Sequence, residues 1–238
     1  MVAAVRYAIS GEIFRRHPGY VRGVVLAHEV GNRRSPGELT MLLRAAEEEL
    51  RRQVTAERIA EHPRIRTWRE AYRAFGAKPS EFRSSVEALA RRALRGEPLP
   101  SINALVDIGS IVSLRHLVPA GGHAIDVLKG DIALRAARGD ESFVALGSDA
   151  TEHPLPGEIV FAEGDTVLAR RWTWRQAWHT STQLATRAIE YNVDGLPPVP
   201  VAEVEEACRE VAELVGRFCG GRTRCELLSA DNPAMLLD

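Results

Sequence analysis

The sequence predicts an α+β fold: a mostly antiparallel sheet packed with helices. Three observations predict it. Segments with apolar residues at helical spacing come first, short β-like segments follow, and an amphipathic segment comes near the end. The β-like segments are punctuated by Lys129-Gly130-Asp131, Arg138-Gly139-Asp140 and Glu163-Gly164-Asp165, turn sequences too short to hold a crossover helix. The composition, 238 residues of which 45% are hydrophobic and 26% charged, is that of an ordinary globular chain with a sizeable core. A single domain over 1–238 is expected, with a strand and helix section at about 1–65, a core at about 66–198 and a C-terminal helix at about 200–221.

Taken in order, the apolar runs Val5 to Ile9 and Tyr20 to Ala27 flank the polar RRHPG and read as a pair of strands. Ser35-Pro36-Gly37-Glu38 offers an N-cap serine, a first-turn proline and a glutamate three residues after the cap. Leu39, Leu42, Leu43, Ala46, Leu50 and Val54 then follow at helical spacing. The mixed charges Glu47, Glu48, Glu49, Arg51 and Arg52 read as its solvated face. Ile65 to Phe75 is a short amphipathic helix stopped by Gly76. Ser84 with Glu87 is a second capping box, whose helix closes at Gly96. Ala124 to Val127, Ile132 to Ala136 and Ser142 to Leu146 read as a meander, and Glu158 to Ala162 pairs with Thr166 to Ala169. TSTQLATRAIEYNV reads as a helix, from Leu184, Ala188 and Tyr191. Val204 to Phe218 is a last amphipathic helix ended by Gly220-Gly221, with loosely ordered residues after it.

Lys plus Arg (31) nearly balances Asp plus Glu (32), so no global basic field marks a nucleic-acid partner, and any RNA contact has to be local. Cys208, Cys219 and Cys225 are odd in number and lack metal-ligand spacing with histidine. Neither a disulfide framework nor a metal site is expected, and an intracellular setting fits. No stretch approaches the roughly 20 apolar residues that span a bilayer, and MVAAVRYAIS lacks the apolar run of a secretion signal, so a soluble, cytoplasmic protein without membrane contact is expected. There is no GxSxG, HExxH, Walker or dinucleotide motif, and no cofactor is expected.

Candidate chemistry concentrates between Leu99 and Asp126. Asn103, Asp107 and Ser110 form one polar stripe on a helix that Leu105, Ile108, Ile111, Val112 and Leu114 make otherwise apolar. Such a helix is buried, and each polar group on it needs a partner, backbone or ligand. Gly121-Gly122 then delivers His123, with Asp126 three residues on. His123 is either a ligand-facing group, approached past the glycines, or a strand-start histidine bonded to a nearby carbonyl. Asp107 reads as structural, holding a neighbouring turn. Trp172 and Trp174 alternate beside Arg170, Arg171 and Arg175, and either stack a base or cover the core.

FRSSVEALARRALRG, LPSINALVDIGSIVSL, PAGGHAIDVLKGDIALR and GEIVFAEGDTVLARRWTWR, in that order, resemble the editing (B3/B4) domain of the phenylalanyl-tRNA synthetase β subunit, in its freestanding form. The resemblance covers about Trp68 to Pro198, more than half of the chain. It implies a fold enclosing a pocket that admits the acylated 3′ end of a mischarged tRNA and hydrolyses the aminoacyl ester. It places the family's small polar pair at Gly109 and Ser110, and its motif histidine at His123. Many relatives end that pair in asparagine; here a smaller hydroxyl stands there. The synthetase also reads its tyrosine substrate with a glutamate, and the strand taken as its counterpart, LARRWTW, has none.

The resemblance therefore implies a trans-acting deacylase that uses a positioned water. In that reading His123 orients or deprotonates the water. Ser110, with backbone amides near Gly109, Gly121 and Gly122, contacts the ester carbonyl or ribose. Asn103 and Asp107 support the pocket, Trp172 and Trp174 contact substrate, and Arg83, Arg91, Arg92, Arg170 and Arg171 contact phosphates. The alternatives are a tRNA- or amino-acid-binding module without hydrolysis, and a small-metabolite enzyme unrelated to tRNA.

Overall fold

The computed structural model describes residues 5–238. Its elements are β1 (Arg6–Ile9), α1 (Gly11–Arg16), β2 (Val21–His28), α2 (Gly37–Gln53), α3 (Pro63–Ala74), α4 (Ser85–Leu94), α5 (Ala104–His116), β3 (Ala120–Ala124), β4 (Ile132–Ala136), β5 (Phe143–Val144), β6 (Thr151–Glu152), β7 (Ile159–Glu163), β8 (Thr166–Arg170), β9 (Arg175–Gln176), β10 (Ala188–Gly195), α6 (Val201–Phe218), β11 (Arg222–Leu228) and β12 (Ala234–Leu236). One sheet runs β12-β1-β4-β7-β8-β9, a second runs β11-β2-β10-β3, and β5 and β6 form a small hairpin. Of these strand pairs only β1 with β4 is parallel, so the α+β, mostly antiparallel expectation holds.

The two faces of β10 explain how the layers meet. Ile189, Tyr191 and Val193 alternate with Glu190, Asn192 and Asp194, and all six are buried. The apolar set faces the helical layer, where the Tyr191 hydroxyl donates to the Leu105 carbonyl of α5 at 2.7 Å and α6 packs along β2 and β10. The polar set faces the six-stranded sheet: the Tyr7 hydroxyl donates to Asn192 Oδ1 at 2.6 Å, and the Phe161 ring lies 5.1 Å from the His123 ring. A buried polar layer therefore lies between the two sheets. α5 is buried as expected, with α2, α4, α6 and β3 around it, and Leu117 in a left-handed conformation ends it.

Several local expectations change. TSTQLATRAIEYNV is not a helix; it leads into β10, the strand between β2 and β3. The strand periodicity of IEYNVD outweighs the weak helical spacing of Leu184, Ala188 and Tyr191. β1 and β2 lie in different sheets, because α1, capped by Ser10, separates them. Ser35 does not cap α2. Pro36 is the N-cap residue, and the Ser35 hydroxyl donates to Asp107 instead, at 2.6 Å. Glu47 is buried rather than solvated, accepting from the Leu99 amide at 2.6 Å and from Arg44. Gly121 and Gly122 lie within β3 rather than in a turn before it. The C-terminal residues supply the edge strands β11 and β12.

Candidate functional site

Two adjoining cavities open where α4, α5, β3 and the turn between β8 and β9 converge. The inner one, about 220 Å³, is lined by His123, Phe161, Arg22, Asn192, Asp194 and neighbours. The outer one, about 460 Å³, is lined by Gly109, Ser110, Leu105, Val106, Leu89, Arg92 and neighbours. They share Ser85, Gly121, Gly122, Trp174 and Gln176. His123 and Ser110 thus line one composite cleft, from opposite sides of Gly121-Gly122. A Cβ on Gly121 would meet nothing within 4 Å, so that strand position opens the cleft. Gly109 does a different job: its Cβ would lie 3.2 Å from the Ala120 carbonyl oxygen, and its absence lets α5 sit against β3.

His123 is 8% exposed, and its Nδ1 lies 2.7 Å from Thr180 Oγ1 and 3.2 Å from Gln176 Nε2. The Gln176 amide nitrogen also donates to the Gly122 and Thr180 carbonyls, at 3.1 and 3.0 Å, which fixes that end of the amide as the donor. Nδ1 facing an NH₂ group is best an acceptor, with the Thr180 hydroxyl donating to it. In that assignment the ring proton resides on Nε2. Burial, reinforced by the Arg22 charge, pushes the His123 pKa down to about 3, so the ring is neutral near pH 7.

Beneath it lies the polar layer of the sheets. Arg22 grips Asp194 through Nε to Oδ1 at 2.7 Å and Nη2 to Oδ2 at 3.1 Å, and its Nη1 donates to the Tyr7 hydroxyl at 2.6 Å. Tyr20 donates to Asp194 Oδ1 at 2.5 Å. Glu190 lies directly across the ladder from His123. Its Oε1 accepts from Asn192 Nδ2 at 3.0 Å, and its buried Oε2 has no partner. Burial pushes its pKa up to about 8 against the opposing pull of Arg22, so Glu190 is a neutral carboxylic acid near pH 7.

Other anticipated residues lie elsewhere. Asn103 caps α5, accepting from the Val106 amide at 3.1 Å and donating to the Thr182 carbonyl at 3.1 Å. Asp107 accepts from the Ile102 amide at 3.0 Å and from the hydroxyls of Ser101 and Ser35. Neither lines either of these two cavities, and both hold the N-terminus of α5. The Ser110 hydroxyl donates back to the Val106 carbonyl at 3.2 Å and keeps its lone pairs free. Asp126 accepts from the Arg187 amide at 2.8 Å.

The tryptophan and arginine expectations change most. Trp172 is 1% exposed and sits edge-on to Trp68 and Tyr20, a core residue that also borders the inner cavity; Trp174 is half-buried and borders both cavities. Arg170 is buried against Glu158, at 2.9 Å, and Glu152, at 2.7 Å. Arg171 is buried between the rings of Phe82 and Trp174. Both are buried, so neither presents an open cation at the surface. Arg91 pairs with Glu87 at 2.9 Å, whereas Arg83 and Arg92 are exposed and Arg92 reaches the outer cavity. The sequence reading missed Arg22, Gln176, Thr180, Glu190, Asn192 and Asp194. The alternation in IEYNVD was the available signal for the last three.

Comparison with known proteins decides the family. The family model for the B3/4 domain matches residues 67–220. The chain belongs to the B3/4 domain family. His123, Ser110 and every other residue named as lining the cavities, except Arg22, fall inside the B3/4 segment. Among solved structures, an N-terminal fragment of the phenylalanyl-tRNA synthetase β subunit from Pyrococcus horikoshii is similar, with 12% identity and a TM-score of 0.47 over 92% of this chain. The match covers 50% of that fragment, so this chain spans about half its length. No curated protein matches the chain. Among the described residues no helix is long and apolar enough to cross a membrane.

Proposed function

We propose that this B3/4 protein is an aminoacyl-tRNA deacylase that acts in trans on a mischarged tRNA. The observation that carries the reading is a buried histidine on the wall of a two-part cleft, with its Nδ1 engaged by Thr180 and Gln176. Family membership and the motif resemblance to the synthetase editing domain support a tRNA-related role. The inner cavity takes the amino-acid side chain, and the larger, more apolar outer cavity takes the terminal adenosine.

An aminoacyl ester is already activated, so stabilising the oxyanion and positioning water suffice. A group with a pKa of about 3 is a weak base at pH 7, which favours His123 Nε2–H as a donor to the ester carbonyl over proton abstraction. Ser110, whose own proton goes to Val106, accepts from a ribose hydroxyl. Arg92 and Arg83 supply phosphate contacts.

The test is a panel of labelled mischarged tRNAs. Loss of label faster than in buffer for at least one species is expected; no acceleration for any of them removes the deacylase reading. Salt-sensitive tRNA binding without turnover would favour the binding module instead.

A further inference from the structure

Trp174 is the one aromatic residue that borders both cavities. Its indole is held from several directions. The Arg171 guanidinium lies 3.6 Å from the Phe82 ring centre and 4.4 Å from that of Trp174, and the Phe82 and Trp174 rings meet edge-on at 5.0 Å. The turn that makes this clamp is built against ordinary preference. Arg171 and Trp172 have φ of 46° and 65°, in the left-handed region that glycine favours. Arg171 is also buried with Nη1 unpartnered, and its Nη2 stands 3.7 Å from Glu158 Oε2, beyond hydrogen-bond distance. An unpaired buried N–H on a strained turn does not stabilise the fold, and such strain gathers at functional sites. Here both features fix one indole in one place.

We propose that Trp174, clamped by Arg171 and Phe82, is the partition that limits the size of the side chain admitted beside His123. The partition is the specificity-determining element of the cleft, and Arg171 is its positioning residue. Without the indole, the two cavities become continuous through the space beside Gly121 and Gln176, and side chains longer than the inner cavity gain room. The proposal rests on the reading of the cleft as an aminoacyl-ester site, with side chain inside and adenosine outside.

The test uses the full chain and a graded set of non-hydrolysable probes, 3′-amino-3′-deoxyadenosine amides of amino acids from alanine to tryptophan, with affinities measured by calorimetry. Trp174→Ala is expected to improve the affinity for the largest side chain relative to the smallest by at least about tenfold, with Trp174→Phe intermediate. Arg171→Met, which keeps the stem and loses the cation, shifts the same ratio in the same direction; a merely structural arginine would lower all affinities together. Trp174→Phe keeps the test available if the alanine variant does not fold. An unchanged ratio in the variants overturns the partition, even where the protein hydrolyses esters. A shifted ratio with no ester hydrolysed by the unaltered protein leaves the partition standing and removes the deacylase reading. Failure of every amide to bind the unaltered protein overturns both.

Discussion

Replacing Glu190 by glutamine should make the protein more stable, relative to the unaltered chain, as the pH rises. Glu190 is fully buried, with one oxygen bonded to Asn192 at 3.0 Å and the other unpartnered, and its folded pKa is about 8 against 4.5 in a free side chain. Between those values the unfolded chain has released the proton and the folded chain keeps it. The folded state then binds more protons, so stability falls with rising pH. The stabilisation is complete below the unfolded pKa and is lost as the pH climbs through the folded one. The slope approaches about 1.4 kcal/mol per pH unit, or about 2 to 3 kcal/mol between pH 5.5 and 7.5. Glutamine keeps the shape and the bond to Asn192 and has no proton to lose. Urea unfolding of both proteins at half-unit pH steps gives the difference directly, and the loss of stability that neutral His123 causes below pH 6.5 is common to both. A difference that is flat over this range would mean that Glu190 is ionised when folded, and the account of the buried polar layer would fail.

Other outcomes follow from the same contacts. Asp107→Ala removes three hydrogen bonds from the entrance to α5 and should cost about 3 kcal/mol or more in thermal or denaturant unfolding, with Asp107→Asn milder. Gly122→Ala sets a Cβ 2.6 Å from Ile189 Cδ1 and should cost about 1–3 kcal/mol, whereas Gly121→Ala meets nothing and should leave stability within about 0.5 kcal/mol while narrowing the cleft. Residues 67–220 alone should fail to give a dispersed NMR spectrum. That fragment lacks β2, which pairs with β10 from Ala188 to Gly195, and leaves Asp194 buried without Arg22. This outcome matches the proposal of one cooperative unit over 1–238; a folded fragment would contradict it.

The helices were legible because their signals are local. Ser84 and Gly96 bracket α4 in the chain as they do in the sequence, and the apolar dominance of α5 does mean burial. His123 and Gly109-Ser110 were picked out by the motif resemblance, and Ser110 also by the polar stripe on α5. What escaped was long-range. Arg22 and Asp194 are 172 positions apart, and no spacing rule joins them. β10 was hidden because a polar residue at every second position looks like a solvated face until a second sheet is known to cover it. Arg170 and Arg171 looked like a basic patch because the sequence gives their charge and not the enclosing Glu158, Phe82 and Trp174.

The central claim is that neutral His123 supports ester hydrolysis as a hydrogen-bond donor. Its most direct test is the single-turnover rate of amino-acid release from a mischarged tRNA, for the unaltered protein and for His123→Ala, from pH 5.5 to 8. The account predicts a fall of about 10²–10³ in the variant, and no inflection near pH 6.5 in the unaltered protein. An unchanged rate in the variant, or an inflection at the pH of an ordinary histidine that the variant abolishes, would contradict it.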